Sequence, residues 1–157
     1  MRQYMIRAVG KPKEDWQKEA LKEYQKRLSA FAKIEAQEVP EGHGGAKKPD
    51  TQKTISKEAE SLLASLPGNA FVIALDETGK NLSSEDFAKR IEVATEGGRP
   101  VIFLIGGSWG LDETVRERAD LVLSFGKETL PHMLARIVLM EQIYRVETIL
   151  KGKTYHK

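Results

Sequence analysis

Two short runs of this chain, Ala70–Leu75 (AFVIAL) and Val101–Ile105 (VIFLI), contain no polar residue. A strand with one face in water alternates apolar and polar side chains. Strands without that alternation are covered on both faces, as central strands of a parallel sheet wrapped by helices are. Further strand-like runs at Gln3–Val9, Ile34–Val39 and Leu121–Phe125 are separated by helix-like stretches from end to end. The pattern predicts an α/β fold with a mostly parallel sheet flanked by helices, the central sheet lying in the second half of the chain. At 157 residues the chain suits one domain, spanning 1–157, large enough to bury about two-thirds of its unfolded surface.

Helix signals fill the gaps. Glu14–Phe31 places Trp16, Ala20, Leu21, Tyr24 and Leu28 at helical spacing; Ser83–Asp86 offers a cap before Phe87, Ile91 and Ala94, and Gly97–Gly98 a stop. Asp112 is placed to cap a helix over Asp112–Ala119. The segment Glu41–Asp50, with three glycines and a proline, reads as the most loop-like part of the chain and the one expected to move most.

The last helix, roughly Pro131–Leu150, carries four consecutive apolar residues, Ile137, Val138, Leu139 and Met140. At about 100° per residue these point all round the axis, so no face there is left for water. One side can pack on the sheet. A second copy of the chain is the economical cover for the other, which predicts a homodimer through this helix; the alternative is a helix central within one monomer.

The chain has no cysteine, which removes disulfides, thiolate catalysis and cysteine-based zinc sites and makes the cytoplasm the default compartment. The N-terminal Met1–Val9 carries charge within a short apolar run and reads as a first strand, neither signal nor membrane anchor. Net charge is only +2, so the whole-protein field is not that of a strongly basic nucleic-acid binder. Local clusters matter more: Arg145, Lys151, Lys153 and Lys157 with His156 at the end of the chain, and His43, Lys47 and Lys48 in the glycine-rich loop, the latter plausible phosphate contacts.

Chemistry concentrates in two glycine turns that leave strands, Ile105-Gly106-Gly107-Ser108-Trp109-Gly110-Leu111 and Ser124-Phe125-Gly126-Lys127-Glu128-Thr129-Leu130-Pro131-His132. Such turns expose backbone N–H and C=O groups to a flat polar ligand, and two of them close in sequence point to one small-molecule site built from neighbouring loops. Trp109 reads equally as a base-stacking platform and as a surface aromatic.

These residues resemble the SPOUT class of methyltransferases and, within it, the ribosomal RNA large subunit methyltransferase H family. The resemblance rests on Ala8-Val9-Gly10-Lys11, Leu75-Asp76 with Gly79-Lys80, Ile105-Gly106-Gly107 with Gly110-Leu111, Leu130-Pro131-His132, Glu141-Gln142 with Tyr144-Arg145, and Tyr155-His156, in one order over nearly the whole chain. It implies a sheet whose C-terminal part is tied in a deep trefoil knot, S-adenosyl-L-methionine bound in the knotted loops, and two protomers packed through the knot and the C-terminal helix. It further implies methylation of N3 of a pseudouridine in the intersubunit-bridge stem-loop of 23S rRNA, on assembled ribosomes, with no metal and no membrane. A knot is not something that ordinary topology rules would have offered.

Carried onto this sequence, the resemblance implies a cofactor site of Leu75, Gly106, Phe125, Gly126, Lys127, Glu128, Thr129 and Leu130. The implied catalytic residues are Arg145, His132, Tyr155 and His156. Arg145 would orient the base or steady developing charge, its alternative role being a phosphate anchor or a helix-end contact. His132 and His156 are both candidates for proton handling or base contacts, with no choice between them. Lys151–Lys157, extended, reach at most about 23 Å, enough to cover a partner's pocket and make the active site shared. The rival readings are another knotted methyltransferase acting on tRNA, a non-catalytic ribosome-associated RNA-binding dimer, and a flavodoxin-like domain. The last is disfavoured because no Gly-x-Gly-x-x-Gly turn follows the first strand.

Overall fold

A computed structural model describes residues 1–157. Five strands, β1 (Arg2–Val9), β2 (Ala32–Val39), β3 (Phe71–Asn81), β4 (Val101–Ile105) and β5 (Leu121–Ser124), form one sheet in the order β2-β1-β4-β3-β5. Every neighbouring pair is parallel. Five α-helices connect them: α1 (Asp15–Leu28), α2 (Thr51–Leu63), α3 (Ser84–Ala94), α4 (Glu113–Arg118) and α5 (His132–Leu150). β4, all five residues of which are buried, is the central strand, as its unbroken apolar sequence requires. The interior of the sheet is not confined to the second half of the chain, because β1 lies between β2 and β4 and buries its last four residues.

Parallel pairing forces each connection to cross a face of the sheet, and the helices divide between the two faces. On one face Tyr4, Ile6, Ile73 and Phe103 pack with Leu28 of α1, Phe87 and Ile91 of α3, and Leu139 and Ile143 of α5. On the other, Val9, Val72, Ile102 and Leu104 pack with Ala59 and Leu62 of α2 and Val115 of α4. A buried hydrogen bond, from the Tyr4 hydroxyl to Glu147 Oε1 at 2.6 Å, ties β1 to α5. Burial and the nearby Glu147 carboxylate hold the Tyr4 hydroxyl well above the usual phenol range.

Two elements differ from the sequence reading. The run Ala70–Leu75 continues as strand to Asn81, because Leu75 and Lys80 both pair with Leu123 of β5 and the residues between bulge out of the ladder. Gly79 permits this: a Cβ there would stand 2.5 Å from the Val122 carbonyl oxygen. Helix α2 begins directly after the glycine-rich loop, its N-terminus capped by the Asp50 carboxylate, which accepts from the Lys53 N–H at 2.8 Å. That loop is itself fastened to α2, since the Gly42 N–H donates to Glu58 Oε2 at 3.0 Å.

Along α5, Met133, Arg136, Leu139, Met140, Ile143 and Val146 are buried in the protomer. Leu134 is 37% exposed, and Ile137 and Val138 are half-buried. Leu134, Ile137, Val138, Glu141 and Arg145 recur at three- and four-residue spacing and form one outward stripe along the helix.

Candidate functional site

β3, β4 and β5 are neighbours that all run the same way, so the chain segments leaving their C-terminal ends converge. The crevice outside such strand ends is where open α/β sheets bind ligands. There the structure holds a cleft of about 790 Å³, lined by Leu75, Asp76 and Glu77 from β3, by 105–111 after β4, by Leu123 of β5, and by residues of the segment 125–135. The size is within the range of small-molecule sites.

Local folding explains each wall. The 107–110 turn is closed by the Gly110 N–H donating to the Gly107 carbonyl at 3.2 Å. A Cβ on Gly106 would lie 2.6 Å from the Gly110 carbonyl oxygen, so glycine lets this turn fold back closely on the end of β4, where any side chain would push it outward. After β5, the Ser124 hydroxyl donates to the Gly126 carbonyl at 2.8 Å and accepts the Gly126 N–H at 3.0 Å, which turns the chain sharply into the third wall. The Thr129 hydroxyl donates to Glu77 Oε2 at 2.8 Å and joins that wall to the first. Leu75, Ile105, Leu123 and Leu130 supply apolar surface, while Asp76, Glu77 and Glu128 place carboxylates in the same cleft. The arrangement suits a flat heterocycle between apolar side chains, with loop backbone groups for its polar edge and carboxylates for a cationic portion.

Of the residues singled out for a cofactor, Leu75, Gly106, Phe125, Gly126, Glu128, Thr129 and Leu130 line this cleft, and Lys127 sits in the same loop without lining it. His132, the first residue of α5, lines it too. Its Nε2 and the Glu41 Oε1 each lie 3.5 Å from the point that a Gly10 Cβ would occupy, which places the imidazole beside the end of β1; the φ of +83° at Gly10, rather than lack of space, is what favours glycine there.

Arg145, Tyr155 and His156 gather elsewhere. Thirteen residues of helix separate Arg145 from His132, about 20 Å along the axis. Arg145 donates to Glu141 Oε1 from Nε at 3.1 Å and from Nη2 at 2.6 Å, and those bonds raise its pKa further. The guanidinium lies 4.6 Å from the centre of the Tyr155 ring, which meets Tyr144 edge-on at 4.8 Å. The Tyr155 hydroxyl donates to Glu141 at 3.2 Å; burial first, then that carboxylate, raises its pKa. Arg145 Nη1 stands 3.2 Å from His156 Nδ1, and His156 Nε2 stands 2.7 Å from Glu85 Oε1. Arginine has only donors, so Nδ1 accepts and the ring proton is on Nε2, facing Glu85. That bond is the main reason the Glu85 carboxyl is held below its usual range. The end of the chain is therefore folded back on its own helix rather than extended.

The sequence reading named Asp76 among the residues of the resemblance without giving it a role in the site, and did not single out Glu77 or Glu58. Asp76 and Glu77 follow Leu75 directly, and an acidic pair at the end of an apolar strand was the available signal. Glu58 is 3% exposed and sits behind the cleft. Both of its carboxylate oxygens are 3.3 Å from where a Gly107 Cβ would be, Oε1 has no hydrogen-bond partner, and burial raises its pKa. No group of three or more His, Cys, Asp or Glu side chains is arranged to hold a metal ion, and no helix is long and apolar enough to cross a membrane.

A family model described as a predicted SPOUT methyltransferase matches residues 2–156. The ribosomal RNA large subunit methyltransferase H of Carboxydothermus hydrogenoformans is 48% identical over 155 residues, covering 97% of this chain and 98% of that protein. The protein of the same name from Listeria monocytogenes is 45% identical over 155 residues, covering 97% and 98%. That from Streptococcus suis is 43% identical over 152 residues, covering 95% and 96%.

Proposed function

This chain belongs to the SPOUT methyltransferase family, and we propose that it methylates N3 of a pseudouridine in the intersubunit-bridge stem-loop of 23S rRNA. It uses S-adenosyl-L-methionine and works as a cytoplasmic homodimer on assembled ribosomes. The observation that carries this reading is the glycine-walled cleft where the ends of β3, β4 and β5 converge, in a chain whose relatives are named as large-subunit rRNA methyltransferases. With it we take the loops around that cleft to be tied in the trefoil knot that the resemblance implies.

The cleft fits the donor by its chemistry. Leu75, Ile105 and Leu130 offer apolar surface to an adenine ring, Gly106 and Gly107 let backbone groups approach the nucleoside, and the loop Phe125–Leu130, Lys127 included, closes the third side. Asp76, Glu77 and Glu128 complement the positive charge of the donor's methionine portion. When bound, S-adenosyl-L-methionine supplies a methyl group on a sulfonium, ready for a nucleophile. The protein's own residues then have to orient the base, steady the negative charge that develops on its imide as the N3 proton leaves, and exclude competing water. His132 is the one member of the catalytic set within the cleft of its own chain, and we assign it the proton.

Arg145, Tyr155 and His156 reach the base from a second protomer. In a two-fold dimer whose α5 helices pack antiparallel through the stripe of Leu134, Ile137 and Val138, an axis at Val138 sets the partner subunit's Arg145 opposite Pro131, in the wall of the cleft. Glu141 and Tyr155 hold the guanidinium in a fixed plane, suited to the imide oxygens of a uracil ring. The composite site needs no extended tail.

The test is transfer of labelled methyl from S-adenosyl-L-methionine to ribosomes that lack this modification, comparing assembled ribosomes with separate large subunits, with the product nucleoside identified by mass spectrometry. N3-methylpseudouridine on assembled ribosomes is the expected product. Donor binding without transfer to any ribosomal particle, or transfer to tRNA instead, would overturn the substrate assignment and leave the family assignment standing.

A further inference from the structure

Beside the glycine-rich loop lies a second concavity, of about 400 Å³, between residues 42–50 and the first two turns of α2. Its lining includes His43, Lys48, Lys53 and Lys57, and Lys47 adjoins it. All four lysines are exposed, and none has a carboxylate within ion-pair distance. The single acid in the lining, Asp50, is engaged in capping α2. On a chain with a net charge of +2, this gathers four unpaired positive charges over eleven residues. Lys53 and Lys57 stand one helical turn apart, about 6 Å, a repeat close to the step between neighbouring phosphates of one nucleic-acid strand.

The concavity is also held in register with the cleft. The Gly42 N–H in its wall donates to Glu58, whose carboxylate lies against Gly107 of the cleft. From the same helix, Gln52 Nε2 donates to Asp112 Oδ2 at 3.1 Å, directly after the 105–111 wall. A nucleic-acid strand lying in the concavity is thus held in fixed relation to the 105–111 wall of the cleft.

We propose that this concavity is a docking groove for the phosphate backbone of the substrate rRNA, with Lys48, Lys53 and Lys57 as its phosphate contacts. The proposal rests on the rRNA reading above and adds to it the surface that positions the RNA. Positive charge without a built-in counter-charge is the complement of a polyanion, and such contacts set position and affinity while the base is read elsewhere.

Each phosphate contact contributes about 0.7 to 0.9 to the slope of log affinity against log salt. Replacing Lys48, Lys53 and Lys57 together by alanine should lower that slope by about 2 to 3 for binding to assembled ribosomes at fixed magnesium. Between 50 and 200 mM monovalent salt, affinity of the unmodified protein should then fall about 20- to 40-fold more than that of the variant. A control with the same loss of charge, Lys18, Lys22 and Lys26 to alanine on the exposed side of α1, should keep the original slope, and both variants should bind S-adenosyl-L-methionine as the unmodified protein does. Equal slopes for the groove variant and the unmodified protein, equal losses in the two triple variants, or no measurable ribosome binding by the unmodified protein would each overturn the groove. Groove-dependent ribosome binding without methyl transfer would support the groove and overturn the reaction instead.

Discussion

Replacing Gly106 by alanine tests the cleft at its tightest point. Gly106 has ordinary, non-positive φ, so the substitution introduces no backbone strain of its own and acts only through the added Cβ. That carbon would stand 2.6 Å from the Gly110 carbonyl oxygen and 2.9 Å from Leu111 Cδ2. Ordinary contact begins at 3.4 Å, so the turn at residues 107–110 has to move outward by about 0.8 Å. The turn can yield because Ser108, Trp109 and Gly110 are exposed and one backbone hydrogen bond closes it. The cost in stability should therefore be at the low end for overpacking, about 1 kcal/mol, or about 2–4 °C in Tm. The cost in function should be larger, since a shift of this size in a positioning loop is worth up to about 100-fold. Calorimetric titration with S-adenosyl-L-methionine should show a 10- to 100-fold weaker Kd for Gly106→Ala. Gly107→Ala should lie between, because its Cβ meets only the side chains of Val9 and Glu58 at 3.0–3.3 Å, and Gly68→Ala should be silent, because nothing lies within 4 Å. A Gly106→Ala protein that binds within threefold of the parent would refute the assignment of this loop to the donor. So would a loss of binding shared equally by Gly68→Ala.

Three further outcomes follow from the geometry. Burial raises the Glu58 pKa above its usual 4.5, so the folded chain keeps that proton at a pH where the unfolded chain has lost it, and stability falls as pH rises from about 4.5 toward the folded-state value. Glu58→Gln retains an acceptor for the Gly42 N–H and should lose less Tm between pH 5 and about 8 than the parent; identical pH dependence would refute a buried, titrating Glu58. Tyr4→Phe leaves the fully buried Glu147 with only Arg2, at 3.4 Å, and should cost about 2–3 kcal/mol, or about 5–10 °C in Tm, with a shift under about 2 °C speaking against the buried pair. Mixing equal amounts of Arg145→Ala and Gly106→Val subunits, each inactive alone, should restore about a quarter of parental methyl transfer, because half the dimers are mixed and each mixed dimer has one complete site. No recovery after proven subunit exchange would place Arg145 in the cleft of its own chain.

The parts of the fold that sequence discloses are those where every neighbour has the same chemistry. Val101–Ile105 has no polar residue, and only a strand flanked by strands and covered twice can accommodate it; its place at the centre of the sheet follows. What stayed hidden depends on partners distant in sequence. Helix α2 carries Ile55, Ala59 and Leu62 at helical spacing behind the Asp50 cap, but four lysines and acids among its thirteen residues dilute the apolar stripe. Glu58 and Glu147 are spaced like surface residues and are buried because the backbone of a loop and the hydroxyl of β1 reach them. Strand β3 outran its apolar run because pairing with β5 resumes beyond a bulge that no local pattern encodes.

The same distinction separates the two halves of the candidate site. The cleft proposed for the donor could be read from the sequence because it is made of backbone, and glycines mark where backbone has to come close. The proposed catalytic set was not legible as a unit, because α5 puts His132 and Arg145 about 20 Å apart along one helix. A helix of 19 residues cannot bend them together, and the folded-back tail, locked by Glu85, Glu141 and Tyr144, does not bridge the gap either. If all four residues act on one base, the missing distance has to be crossed by symmetry. The outward stripe of Leu134, Ile137 and Val138 lies between the two groups, where an antiparallel copy would cross it, so the feature that first pointed to a dimer is also the one that would complete the chemistry.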